Sequence, residues 1–123
     1  WVELVERGEL QGPHTQAAVA NYVLPLLAQG ADTLVLGCTH YPFLAPAIQA
    51  VAGPGVHIIN PAPAVARELV RRLHHLGLVR QQLHNNAHTL FWTSGNPSNS
   101  LQVIQALWDT SVTAIQPLPH AYA

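Results

Sequence analysis

At 123 residues the chain has room for one compact domain or for pieces of two, and it is long enough to bury a core. Only 9% of its residues are charged, against a usual value of about 25%, while 49% are hydrophobic. With a net charge of −1, five arginines as its only Lys/Arg residues and no basic stripe, it offers nucleic acid no electrostatic footprint.

So thin a polar coat implies that faces of the chain are covered by something else, such as another part of the same protein. The apolar runs, including the one ending at Leu36, fall well short of the roughly 18 residues of a membrane span, so no membrane partner is expected. The lone Cys38 cannot form an internal disulfide, Pro97 spoils the sequon at Asn96, and no signal peptide opens the chain; the cytoplasm is the expected compartment. Opening on Trp1 and lacking methionine, the sequence reads as a piece of something longer.

Hydrophobic periodicity predicts alternating helices and strands. From Thr15, a candidate N-cap, Val19, Tyr22, Val23, Leu26 and Leu27 trace one helical face ending near Gly30, with Pro25 expected to kink or restart the helix. Thr33 to Leu36 is a short apolar run stopped by Gly37, the pattern of a strand buried on both faces. A helix over Leu44 to Val51 follows, broken by Gly53-Pro54-Gly55 before a strand at Val56 to Ile59.

Pro61 to Pro63 then introduces a helix with Val65, Leu69, Leu73 and Leu76 on one face and Gly77 at its end. Residues 78 to 88 read as loop, with a turn at Asn85-Asn86. A strand over Thr89 to Thr93, a helix carrying Leu101, Ile104, Leu107 and Trp108, and a last strand over Val112 to Ile115 complete the pattern. Strand and helix alternating at this spacing predict an α/β fold of βαβ units, with a parallel sheet covered by helices on both faces.

Gly37-Cys38-Thr39-His40-Tyr41-Pro42 directly follows the first predicted strand. Parallel sheets bind ligands at the carboxyl ends of their strands, which is where Cys38 falls. A neighbouring histidine or helix N-terminus can lower a thiol pKa toward neutrality and make it a usable base. Thr39 and the backbone N–H groups of the turn could hold a carboxylate, and His40 could tune the thiol. On spacing alone an inert buried cysteine remains the competing interpretation. No metal is expected: Cys38 and His40 have no second ligand pair at zinc spacing, and His74, His75, His84 and His88 fall on a helix end and a loop. Arg71, Arg72, His74 and His75 suit a solvated helix C-terminus.

The run Leu34 to Pro42 resembles the C-terminal catalytic motif of glutamate racemases, within the aspartate/glutamate racemase superfamily. Leu4-Val5-Glu6-Arg7-Gly8 is similar to that family's Leu-Val-Glu-x-Gly stretch, and Gly12-Pro13 precedes a helix as the family does. Asn60 to Ala66 resembles the segment leading into its return helix, and Phe91 to Pro97 its final strand and turn. Asn60-Pro61 and Asn96 depart from the Asp-Ser pair and the aspartate common there.

The resemblance implies cofactor-independent racemisation of glutamate, supplying D-glutamate for peptidoglycan, by two cysteines on opposite faces of the substrate. It makes Cys38 one of that pair, with His40 assisting it, Thr39 and His40 binding substrate and Glu6 supporting His40. A solvated glutamate in a charged turn is the alternative for Glu6. The resemblance further implies that residues 1–60 belong to the second of two pseudo-symmetric lobes and residues 61–123 return to complete the first, crossing at Pro61. The family's Asp-Ser and Cys-Asn-Thr motifs do not occur here, so the partner is a missing N-terminal half of the same protein, and the fragment alone is expected to be inactive. A homodimer is compatible with the sequence. Aspartate racemases resemble this segment but tend to carry glutamate where His40 stands, and a catalytically silent fragment is the alternative from another class.

Overall fold

A computed structural model describes residues 1–80 and 89–119; the Asn85-Asn86 turn, His84 and His88 lie outside the described residues. The chain falls into two compact units, one containing residues 1–80 and the other residues 89–119. The secondary structure is mixed helix and parallel strand, an α/β fold.

The first unit opens with helix α1, Val2–Glu6, where sequence patterning left only a charged turn as the alternative setting for Glu6. The Trp1 carbonyl accepts the N–H groups of Leu4 and Val5, and the apolar pair Leu4 and Val5 is buried. The helix stops at Gly8, whose φ of 71° is open to glycine and costly for other residues. There the Gly8 N–H reaches the Val5 carbonyl at 2.9 Å and the Glu9 N–H reaches that of Leu4 at 2.8 Å, the paired closure of a Schellman motif.

Helix α2, Pro13–Ala28, begins two residues before the expected cap. Pro13 suits the first helical position because its missing N–H would have no intrahelical partner there. Thr15 is therefore not the N-cap but a fully buried residue of the first turn, its hydroxyl donating to the Glu9 carbonyl at 2.9 Å. The helix continues through Pro25 as a single element, and the Gln29 amide side chain donates to the Pro25 carbonyl.

Strand β1, Thr33–Val35, and strand β2, His57–Ile59, pair in parallel with Leu34 opposite Ile58. Between them lie a 3-10 turn, Tyr41–Leu44, and helix α3, Ala45–Ala52. Helix α2 packs on α3, and Val19, Val23, Leu44, Ala47 and Ile48 form the buried core with Leu4, Val5 and Leu36. The expectation of a doubly buried β1 does not hold, since Thr33 and Val35 are exposed, Val35 by 63%. Among the described residues this sheet has two strands, and Val35 is left open.

Helix α4, Ala62–His75, begins after Asn60, whose side-chain oxygen accepts the Ala62 N–H, and closes at Gly77 as expected (φ 65°). Among the described residues its apolar face is largely open: Val65 is 66% and Leu69 58% exposed, Leu76 is exposed as well, and Leu73 is half-buried. On its surface Glu68 pairs with Arg71 and Arg72, an arrangement of little energetic weight in water.

In the second unit, strand β3, Trp92–Thr93, and strand β4, Gln116–Pro117, are parallel and joined through helix α5, Pro97–Leu107. Asn96 caps α5 by accepting the N–H groups of Ser98 and Asn99. The last strand forms at 116–117 and not over Val112 to Ile115. The Val112 N–H bonds to the Asp109 carbonyl and its own carbonyl accepts from Gln105, so the chain stays tied to the end of α5 until Gln116 reaches the Phe91 carbonyl.

The exposure pattern separates two leucines of equal size. Leu44→Ala is expected to cost about 2–5 kcal/mol through a core cavity, while Leu69→Ala in the same 123-residue chain stays within about 0.5 kcal/mol, both read as urea midpoints.

Candidate active site

Beyond Val35 the chain leaves the sheet through Leu36, which is buried, and Gly37, and enters the turn Cys38-Thr39-His40. The turn is closed by the Tyr41 N–H on the Cys38 carbonyl and the Phe43 N–H on the His40 carbonyl. Cys38 thus sits at the carboxyl edge of the parallel pair, and its thiol is half-buried, open enough to meet a small molecule.

His40 lies at the centre of the cluster. Its Nε2 is 2.8 Å from Glu6 Oε1 at the end of α1, and its Nδ1 is 3.8 Å from Cys38 Sγ and 3.4 Å from Thr39 Oγ1. A carboxylate can only accept, so Glu6 places a proton on Nε2. In the neutral ring Nδ1 then accepts from the thiol; in the imidazolium it donates to a thiolate. All four residues singled out from the sequence come together here: Cys38, Thr39 and His40 in one turn and Glu6 from α1.

The electrostatics move both groups toward their charged forms. The His40 backbone N–H, and next its imidazole, hold the Cys38 thiol below its ordinary pKa. The hydrogen bond that His40 donates to Glu6, and next that with Cys38, raise His40 above the usual imidazole range. Each shift moves its group toward the charged form near neutral pH. Among the described residues no group of three or more His, Cys, Asp and Glu side chains could hold a metal ion, and no helix is long and apolar enough to cross a membrane.

The model of the family described as Asp/Glu/Hydantoin racemase matches residues 2–69, a span containing all of these side chains. The chain belongs to that racemase family. It is 49% identical over its whole length to the glutamate racemase of Methylococcus capsulatus, of which it spans 45%, and 49% identical over 107 residues to that of Herpetosiphon aurantiacus, spanning 41%. Among solved structures it superposes with a TM-score of 0.78 on the glutamate racemase of Thermus thermophilus bound to β-chloro-D-alanine, at 31% identity, covering 99% of this chain and 46% of that one. The chain therefore spans a little under half the length of these racemases.

Two residues beside the cluster were not singled out from the sequence. Trp1 precedes α1 and packs against Tyr41, ring centroids 4.9 Å apart. Their sequence separation hid the contact; only the apolar residues Val2, Leu4 and Val5, a weak helical signal, pointed to a packed segment.

Because Cys38 is the chain's only cysteine, its ionisation can be read by alkylation. His40→Asn removes the imidazole but keeps the backbone N–H, so the alkylation profile is expected to move to higher pH by part of the total shift. The sign follows from losing a donor to the thiolate, and reaction at pH 7 slows accordingly.

Proposed function

We propose that the chain is the C-terminal half of a cofactor-independent glutamate racemase, whose other half supplies a second cysteine. The hydrogen-bonded line Glu6–His40–Cys38 is the observation that carries this reading, because it lowers the thiol pKa in the direction a base needs. The likeness at 49% identity to proteins named glutamate racemase supports glutamate as the substrate.

In this reading the Cys38 thiolate removes the α-proton from one face of glutamate, and the thiol of the partner cysteine delivers a proton to the opposite face. In the reverse direction the two exchange roles. Two groups are required because a single base returns the proton to the face it left. His40 as imidazolium stabilises the thiolate, Glu6 fixes its ring by the bond at Nε2, and the Thr39 hydroxyl donates to the substrate carboxylate. The product D-glutamate would serve cell-wall peptidoglycan, made from precursors in the cytoplasm.

The missing half is also the partner that the exposed apolar surfaces call for. No residue of helix α4 is buried among the described residues, which supports a crossing at Pro61 into a lobe that other residues complete. Residues 1–60 would then belong to the second lobe and 61–123 to the first.

The isolated chain has one cysteine and is expected to show no racemisation of L-glutamate by circular dichroism, with activity appearing when the complementary half is supplied. Activity from the 123 residues alone would refute the two-cysteine reading. In the complete enzyme Cys38→Ser is expected to abolish turnover in both directions, a loss of at least about 10³-fold; near-normal rates would remove Cys38 from the reaction.

A further inference from the structure

Helix α1 meets the Cys38 turn at both of its ends. At the C-terminal end Glu6 holds His40 Nε2 at 2.8 Å. At the N-terminal end the Trp1 ring lies 4.9 Å from that of Tyr41, the residue directly after His40, with the planes tilted by 59°. Trp1 is itself fixed from two further directions: its indole N–H donates to the Ala18 carbonyl of α2 at 3.0 Å, and Tyr22 of α2 meets it edge-on at 5.8 Å. Leu4 and Val5 bury the inner face of α1 between these two ends.

We propose that Trp1 is a positioning residue for Cys38, acting through Tyr41 to hold His40 between Glu6 and the thiol. The inference rests on the racemase reading for its kinetic consequence, though not for its effect on the thiol. One hydrogen bond donated to Glu6 leaves the imidazole free to pivot about Nε2, and at 3.8 Å the contact of Nδ1 with Sγ has no slack. Rotation is stopped only if the backbone on the far side of His40 is held as well. Tyr41 does this, because its N–H closes the turn on the Cys38 carbonyl while its ring is pinned by Trp1. An aromatic pair of this kind biases a population by roughly two- to tenfold.

The ring contact and the indole hydrogen bond make separable contributions. Phenylalanine keeps the former and loses the latter, so Trp1→Phe should preserve the thiol's behaviour where Trp1→Ala does not. The first measurement is the pH dependence of Cys38 alkylation by iodoacetamide, in the 123-residue chain and, resolved by peptide mass spectrometry, in the complete enzyme. For Trp1→Ala we expect reaction at pH 7 to slow by roughly two- to tenfold with the profile displaced to higher pH, and Trp1→Phe to restore it. In the complete enzyme kcat should fall about as far while KM stays within about twofold, as expected of a residue that acts through His40 and not on the substrate.

If Trp1→Ala fails to fold, Tyr41→Leu removes the same ring contact while leaving the bond to Ala18, and the same displacement is expected. A folded Trp1→Ala or Tyr41→Leu protein with the parental alkylation profile would overturn the proposal, as would equal displacement by Trp1→Phe and Trp1→Ala. Cys38→Ser run alongside separates the two readings. If Cys38→Ser remains active, the racemase role falls while the thiol measurement still judges Trp1. If it is inactive and Trp1→Ala leaves the thiol unchanged, only the role of Trp1 falls.

Discussion

The hydrogen bond between Glu6 and His40 ties together two segments 34 residues apart, and the chemistry of the Cys38 turn depends on it. Without it His40 would be an ordinary partly exposed imidazole, free to take either tautomer. With it the proton on Nε2 is assigned, Nδ1 is turned toward the thiol, and the charged form of the ring is favoured. The fold supplies this contact through a short helix of five residues, too short to persist alone and stable only because Leu4 and Val5 bury one side of it.

The apolar surfaces left open are as informative as the core. Parallel strands are normally covered on both faces, yet β1 and β2 form a pair with Val35 and Ile59 exposed, and α4 directs its apolar stripe at water. A charged fraction of 9% is consistent with that pattern, since a surface meant to be covered needs few charges. These exposed faces are consistent with one further fact, that the chain spans under half the length of the racemases it matches.

Much of the architecture was legible from local signals. Gly77 ends α4 because a left-handed residue was needed there, and the strand-then-glycine pattern located the Cys38 turn at a sheet edge. What failed did so where non-local terms decide. Thr15 has the chemistry of an N-cap, but Pro13 was a better helix start and the Thr15 hydroxyl was drawn to the Glu9 carbonyl. Val112 to Ile115 has strand composition, but the Gln105 and Asp109 contacts delay pairing until Gln116. The site followed the same division: Cys38, Thr39 and His40 are contiguous and could be read as a motif, whereas neither the 2.8 Å bond to Glu6 nor the packing of Trp1 on Tyr41 follows from spacing.

On the racemase reading, the structural and the chemical incompleteness have a common physical basis. A thiolate open to water is strongly solvated, and the carbanion-like state formed on losing an α-proton would be reprotonated by solvent without control of face. The Cys38 thiol is half-buried here, and the features that lower its pKa are all local to its own turn, the His40 backbone N–H first and the His40 imidazole next. Ionisation can therefore be arranged within this half, whereas water exclusion and delivery of the second proton cannot. Both require a surface on the far side of the substrate, so the half that contributes the second acid must also close the site, which couples assembly of the fold to control of stereochemistry.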